Sequence, residues 1–155
     1  RRTIVHFSGA RQNIDACERC NAYRQAMADF APDLPVRVLE GTFDEVSGAN
    51  LAQRLIDEGM PADAIIAGND MMALGALHVL RQAGIAVPGR VAVAGFDDVP
   101  LARYLELTTV SVDIVGMGQR AIELLLDTIA GEADEPQNEL SNTELVIRAT
   151  TRSTG

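Results

Sequence analysis

A chain of 155 residues is long enough for one compact domain with its own core, and 47% hydrophobic with 23% charged residues is an ordinary globular composition. The net charge of −9 argues against a phosphate-binding face for nucleic acid, and no apolar run approaches the roughly 18 residues that a membrane span needs. All 13 cationic residues are arginine, which excludes a Schiff-base lysine and a lysine-bearing phosphate loop.

Strand and helix patterns alternate along the chain. Residues 3–7 read as a strand, and the short apolar stretch before Ser8 lacks the length and flanks of a signal peptide. Residues 15–30 read as a helix, with Asp15 as N-cap and Glu18 three positions on as its capping-box partner. Within it, Cys17 and Cys20 form a C-x-x-C. A redox pair at a helix start is the sharper reading; two small, semi-apolar residues one turn apart is the simpler one, and on that reading both are dispensable. A zinc site needs more ligands, and neither His6 nor His78 stands at ligand spacing, so no metal is expected.

Residues 36–39 form the second predicted strand. Residues 46–58 form the second helix, with apolar Leu51, Leu55 and Ile56 and a stop at Gly59. Residues 64–67 make a third, wholly apolar strand. Residues 70–83 make a helix stopped by Gly84, and residues 91–94 a fourth strand. Four strand–helix repeats with short links imply an α/β fold, a parallel sheet flanked by helices; continuous apolar strands support it. Ligands in such sheets bind at the carboxyl ends of the strands. That directs attention to loops 8–15, 41–44, 68–70 and 95–98.

Beyond Tyr104 the pattern changes. Residues 108–112 are extended, and Asp113 can cap a helix over 114–130 that Gly131 ends. Residues 131–142 are polar and loop-like, 144–147 form a last strand, and 148–155 read as a tail.

Four stretches together resemble the lactose-repressor/galactose-repressor (LacI/GalR) family of bacterial transcription regulators. They are 64–77, containing Gly68-Asn69-Asp70; 87–98, ending in Gly95-Phe96-Asp97-Asp98; 107–110, with Gly118 following; and 145–154, containing Arg148 and Ser153-Thr154. In order and spacing they cover essentially the whole chain. The resemblance implies a periplasmic-binding-protein-like (type I) core whose carboxyl-terminal lobe is residues 1–112. Residues 113–142 would be a crossover helix and loop belonging to the amino-terminal lobe, and residues 143–155 the return strand and tail. The DNA-binding head and most of the first lobe would then lie outside these residues. It implies a cytoplasmic protein that is no enzyme, uses no cofactor, touches no membrane and binds a small, sugar-like effector. Operator DNA would be reached only through the head. The competing expectation is an exported sugar-binding protein of a transport system, which shares fold and cleft.

By the same resemblance, the effector is held by Arg19, Asn69 and Asp97. Arg19 falls in an Arg-x-x-Gly-aromatic pattern closed by Tyr23, with Ala22 where glycine is usual. A guanidinium can grip two hydroxyls or a carboxylate, an amide donates and accepts at once, and a carboxylate accepts from neighbouring hydroxyls. Each has a plainer alternative: a surface arginine for Arg19 and a helix N-cap for Asn69. Phe43 is expected as an apolar wall or a core residue, with Asn13 and Asp15 adding hydrogen bonds. Adjacent Asp97 and Asp98 would point apart, which argues against an acid/base pair. The 70–83 helix carries a second apolar stripe of Met71, Leu74 and His78 beside Gly75, with no obvious cover. Together with Leu101, Tyr104 and Leu105, it is the expected homodimer surface.

Overall fold

The computed structural model describes residues 3–131 and 139–152. The expected βα repeats form in order: β1 (Ile4–Ser8), α1 (Ile14–Phe30), β2 (Arg37–Glu40), α2 (Glu45–Asp57), β3 (Ala64–Ala67), α3 (Asp70–Gln82) and β4 (Ala92–Ala94). They build a four-stranded parallel sheet in the order β2-β1-β3-β4. Then come α4 (Pro100–Tyr104), β5 (Thr109–Val112), α5 (Ile114–Ala130) and β6 (Thr143–Val146). Bridges from Ala94 to Thr108 and from Asp97 to Ser111 carry the β5 segment along the β4 edge in the same direction, while β5 and β6 pair antiparallel.

Because β2 lies on one side of β1 and β3 on the other, the chain reverses its winding at β1. In such sheets that reversal opens a crevice at the carboxyl edge. Val5, Phe7, Ile65 and Val93 supply sheet residues to the core, and Leu55, Met72, Leu77 and Leu80 face them from α2 and α3; all are at most 1% exposed. The two helices meet at backbone distance. A Cβ on Gly48 would overlap the Met72 backbone, and one on Gly75 would overlap the Glu45 carbonyl. The second stripe of α3 is therefore not open along its length, as the sequence suggested. The backbone of α2 closes on Gly75, and Leu74 is only 8% exposed within the single chain.

One helix cap and one ending differ from expectation. Asn13, not Asp15, caps α1, its side chain accepting from the Ala16 amide at 3.0 Å. Asp44 caps α2 by accepting from Ser47 at 2.7 Å. Residues 148–152 are not a loose tail. The Thr150 carbonyl accepts from the Val93 amide, its hydroxyl accepts from the Thr108 amide, and its own amide donates to Glu106. The expected Asp113 cap and Gly131 stop of α5 both form, Gly131 taking the left-handed φ of 74° that glycine tolerates without strain. The loop expected at 131–142 falls largely outside the described residues, as does the end of the tail at 153–155.

α5 is amphipathic yet has no buried residue. Ile114, Met117, Ile122, Leu125, Leu126 and Ile129 are all exposed, so the helix stands away from the lobe that precedes it.

Candidate functional site

The four strand-end loops converge as the sheet topology requires. Gly9 follows β1, Phe43 sits between β2 and α2, Gly68 and Asn69 join β3 to α3, and Phe96, Asp97 and Asp98 follow β4. Phe43 holds a positive φ of 64° and lays its ring against Gly9 and Gly68. A Cβ on either glycine would stand 2.6–2.8 Å from ring atoms. Absent side chains at those two positions let an aromatic ring lie across the ends of β1 and β3.

Arg19 enters this cluster from α1. One Nη donates to the Gly68 carbonyl at 2.7 Å, and the other stands 3.7 Å from an Asp97 carboxylate oxygen. The guanidinium lies over the Phe96 ring at 3.9 Å from its centroid, with Phe43 at 5.6 Å, a cation–π geometry. Half-buried between an aromatic face, a carbonyl and a carboxylate, Arg19 is no freely solvated surface arginine. Phe96 is a site residue that sequence reasoning quoted in a motif but gave no role. Its position between Gly95 and Asp97 after a buried strand was the available signal.

Asn69 is the helix N-cap that its residue type suggested, and it keeps capacity for a further contact. It caps α3, Oδ1 accepting from Met72 at 3.0 Å, and its amide nitrogen donates to the Phe43 carbonyl at 2.9 Å. One amide N–H remains for another acceptor. Asn13 is exposed and engaged as a cap, and Asp15 is exposed in the first turn of α1.

Asp97 and Asp98 both hold positive φ, 114° and 54°, a conformation that costs a non-glycine residue and persists only where neighbours over-determine it. Here they do. The Asp97 amide donates to Val110. Asp98 forms a partly buried ion pair with Arg148 at 2.6 Å, and Arg148 also donates to the Leu107 carbonyl. Behind them lies Asp70, fully buried at the start of α3. Its carboxylate accepts from the Thr109 hydroxyl at 2.5 Å and the Val99 amide at 2.9 Å. Its amide donates to Phe96. Asp70 thus pins the loop carrying Phe96 and Asp97 from both ends. The two aspartates are not a dyad: Asp97 faces Arg19, and Asp98 faces Arg148.

Burial holds the Asp97 carboxyl above the ordinary carboxylate range. The Arg19 charge pulls it back down, while the charges of Asp70 and Asp15 push it up. Asp70 is raised by burial too, against the lowering effect of its bonds from Thr109 and Val99. His6, stacked on Tyr23 and donating from Nδ1 to Ile66, is lowered by burial and is a packed residue. Among the described residues no cluster of three or more metal-ligating side chains occurs. No helix there is long and apolar enough to cross a membrane.

Residues 1–151 match the model of the periplasmic binding protein-like domain. The HTH-type transcriptional regulator CelR of Thermobifida fusca is 34% identical over 150 residues, 95% of this chain and 44% of that protein. The structure of a CelR–cellobiose complex superimposes with a TM-score of 0.88 at 34% identity, over 96% of this chain and 46% of the other. A Lac repressor structure bound to ONPG in the repressed state superimposes equally well, with a TM-score of 0.88 at 27% identity over 97% and 46%. The chain spans less than half the length of these relatives.

The Asp97 environment yields a direct test. Substituting Arg19→Met removes the positive charge that draws the Asp97 carboxyl down, so the Asp97 titration midpoint should rise above its native value. Side-chain carboxyl carbon shifts followed against pH would show it. A midpoint that stays or falls would mean that Arg19 does not act on Asp97.

Proposed function

Because this chain belongs to the periplasmic binding protein-like domain family and is homologous to the effector-binding part of LacI/GalR-type regulators, we propose that it is the effector-sensing lobe of a cytoplasmic bacterial transcription regulator. The observation that carries this reading is the Arg19 cluster at the carboxyl edge of the sheet. A guanidinium with further N–H donors, a carboxylate acceptor and two aromatic faces suit a neutral polyhydroxyl ring. The acidic surroundings of Asp15, Asp70, Asp97 and Asp98 disfavour an anion. The effector is sugar-like, held by Arg19, Asn69 and Asp97 against Phe43 and Phe96, with Asn13 and Asp15 at the rim. Operator DNA is contacted by a head outside these residues, and effector binding shifts the populations of two lobe arrangements. The exposed apolar stripe of α5 supports assigning that helix to the opposing lobe, with β6 and Arg148 as the return path.

Affinity measurements on the intact regulator test the site, with cellobiose as first probe in a saccharide panel. Arg19→Ala and Asp97→Ala should each weaken binding about ten- to hundredfold, the effect of roughly 1.5–3 kcal/mol for a charged hydrogen bond. Asn69→Ala should weaken binding and also lower the melting temperature, since it removes the α3 cap. Undiminished affinity in both Arg19→Ala and Asp97→Ala would refute the assignment.

The intact protein is further proposed to be a homodimer whose two-fold patch meets itself at α4 and the outer edge of α3. Tyr104 is 82% and Leu101 49% exposed; Met71 and Leu105 are half-buried and His78 is exposed beside them. Leu74, 8% exposed, contributes little area, so a charge there would disturb the fold before the interface. Tyr104→Glu is the cleaner probe. Sedimentation should give monomers, whereas an unchanged dimer with a normal melting temperature would place the interface elsewhere.

A further inference from the structure

Cys17 is exposed and Cys20 half-buried, so neither is the packed apolar residue that a free cysteine commonly is. Both line one cavity of about 440 Å³, together with Arg11, Arg24, Asn21 and Glu40. The two thiols sit one turn apart in α1, Cys17 as the fourth residue of that helix. The Cys17 S–H donates to the Arg11 carbonyl at 3.1 Å. Solvent and a small oxidant reach both sulfurs through the same opening. Arg19 lies between them in sequence.

We propose that Cys17 and Cys20 form a modification site, a dithiol that a hydroperoxide converts to an intrahelical disulfide. Exposed Cys17 attacks the peroxide. Its sulfur takes one oxygen, the O–O bond breaks, and the other oxygen leaves as water or alcohol, giving a sulfenic acid. The Cys20 thiol then attacks that sulfur, the S–S bond forms, and the sulfenic oxygen departs as water. Two thiols are oxidised, one peroxide is reduced, and every proton leaves in water or alcohol.

Helical neighbours three residues apart have Cβ atoms about 5–6 Å apart, whereas a disulfide brings them to about 3.8 Å. Closing that gap tightens the first turns of α1, tethered at its start by the Asn13–Ala16 bond. Arg19 must move with the turn that contains it, away from its 2.7 Å bond to Gly68. That the displaced Arg19 weakens effector binding rests on the function proposed above; the chemistry at the thiols does not.

The test uses the 155-residue chain with a small excess of hydrogen peroxide under native conditions. The chain should lose two hydrogens in mass, both thiols should resist alkylation, and dithiothreitol should restore them. In Cys20→Ser, peroxide should leave a Cys17 sulfenic acid that a 1,3-dione captures. Native thiols that both alkylate after peroxide, or a disulfide that links two chains, would overturn the site. For the coupling, the Arg19 Nε–Hε resonance, identified by its loss in Arg19→Lys, should shift on oxidation while that of Arg54 on α2 stays. An unmoved Arg19 resonance with the disulfide formed would overturn the coupling. None of these readings requires an effector, so failure of the effector assignment leaves them standing.

Discussion

The arrangement at the carboxyl edge depends on where one guanidinium is held. Arg19 reaches from α1 across the crevice between β1 and β3 and is fixed by the Gly68 carbonyl, the Phe96 ring and the Asp97 carboxylate. The carbonyl comes from the loop after β3, and the ring and the carboxylate from the loop after β4, so the arginine of α1 ties together the ends of strands that the chain builds separately. Taking a cation partly out of water is costly. The carbonyl, the carboxylate and the π-face together offset that cost, and they also set the direction of the remaining N–H donors.

That position exists because the β4 loop is itself held. Asp70, buried at the first position of α3, accepts from Val99 and Thr109 and donates its amide to Phe96. Arg148 grips Asp98 from the returning segment. Between these two clamps Asp97 and Asp98 keep left-handed backbones that would otherwise relax. Gly95 has no side chain to displace Asp70, since a Cβ there would overlap its carboxylate. Packing, polar satisfaction and site geometry are therefore one problem here: a change at Asp70 or Arg148 reaches Asp97 without touching a ligand. Arg148 returns to this sheet only after the excursion through α5, so the loop that faces the crevice is anchored to the returning segment.

Much of this was legible in the sequence. Continuous apolar strands and glycine stops located every element but α4. The strand-end rule pointed to the loops that meet around Arg19, and Asp113 and Gly131 bracketed α5 correctly. The misses share a cause. Asn13 and Asp15 are both good caps, and the choice was made by the turn in which the Asn13 amide donates to Ala10. Asp70 finds Thr109 across 39 positions, and Arg148 finds Asp98 across 50; no local pattern reports such pairs. Leu74 looked uncovered because the close approach of α2 is written in two glycines, Gly48 and Gly75, whose absent side chains leave no apolar signal. Phe96 was readable as a residue but not as a surface, since its role appears only when the Arg19 guanidinium lies on it.

A site organised before any ligand arrives requires an immobile Arg19. The most direct measurement is the order parameter of the Arg19 Nε–Hε vector by ¹⁵N relaxation in the unliganded chain, with exposed Arg103 as reference. The account predicts a value close to that of rigid backbone, about 0.85, well above that of Arg103. A value below about 0.6, equal to that of Arg103, would contradict it and leave the guanidinium a mobile surface charge.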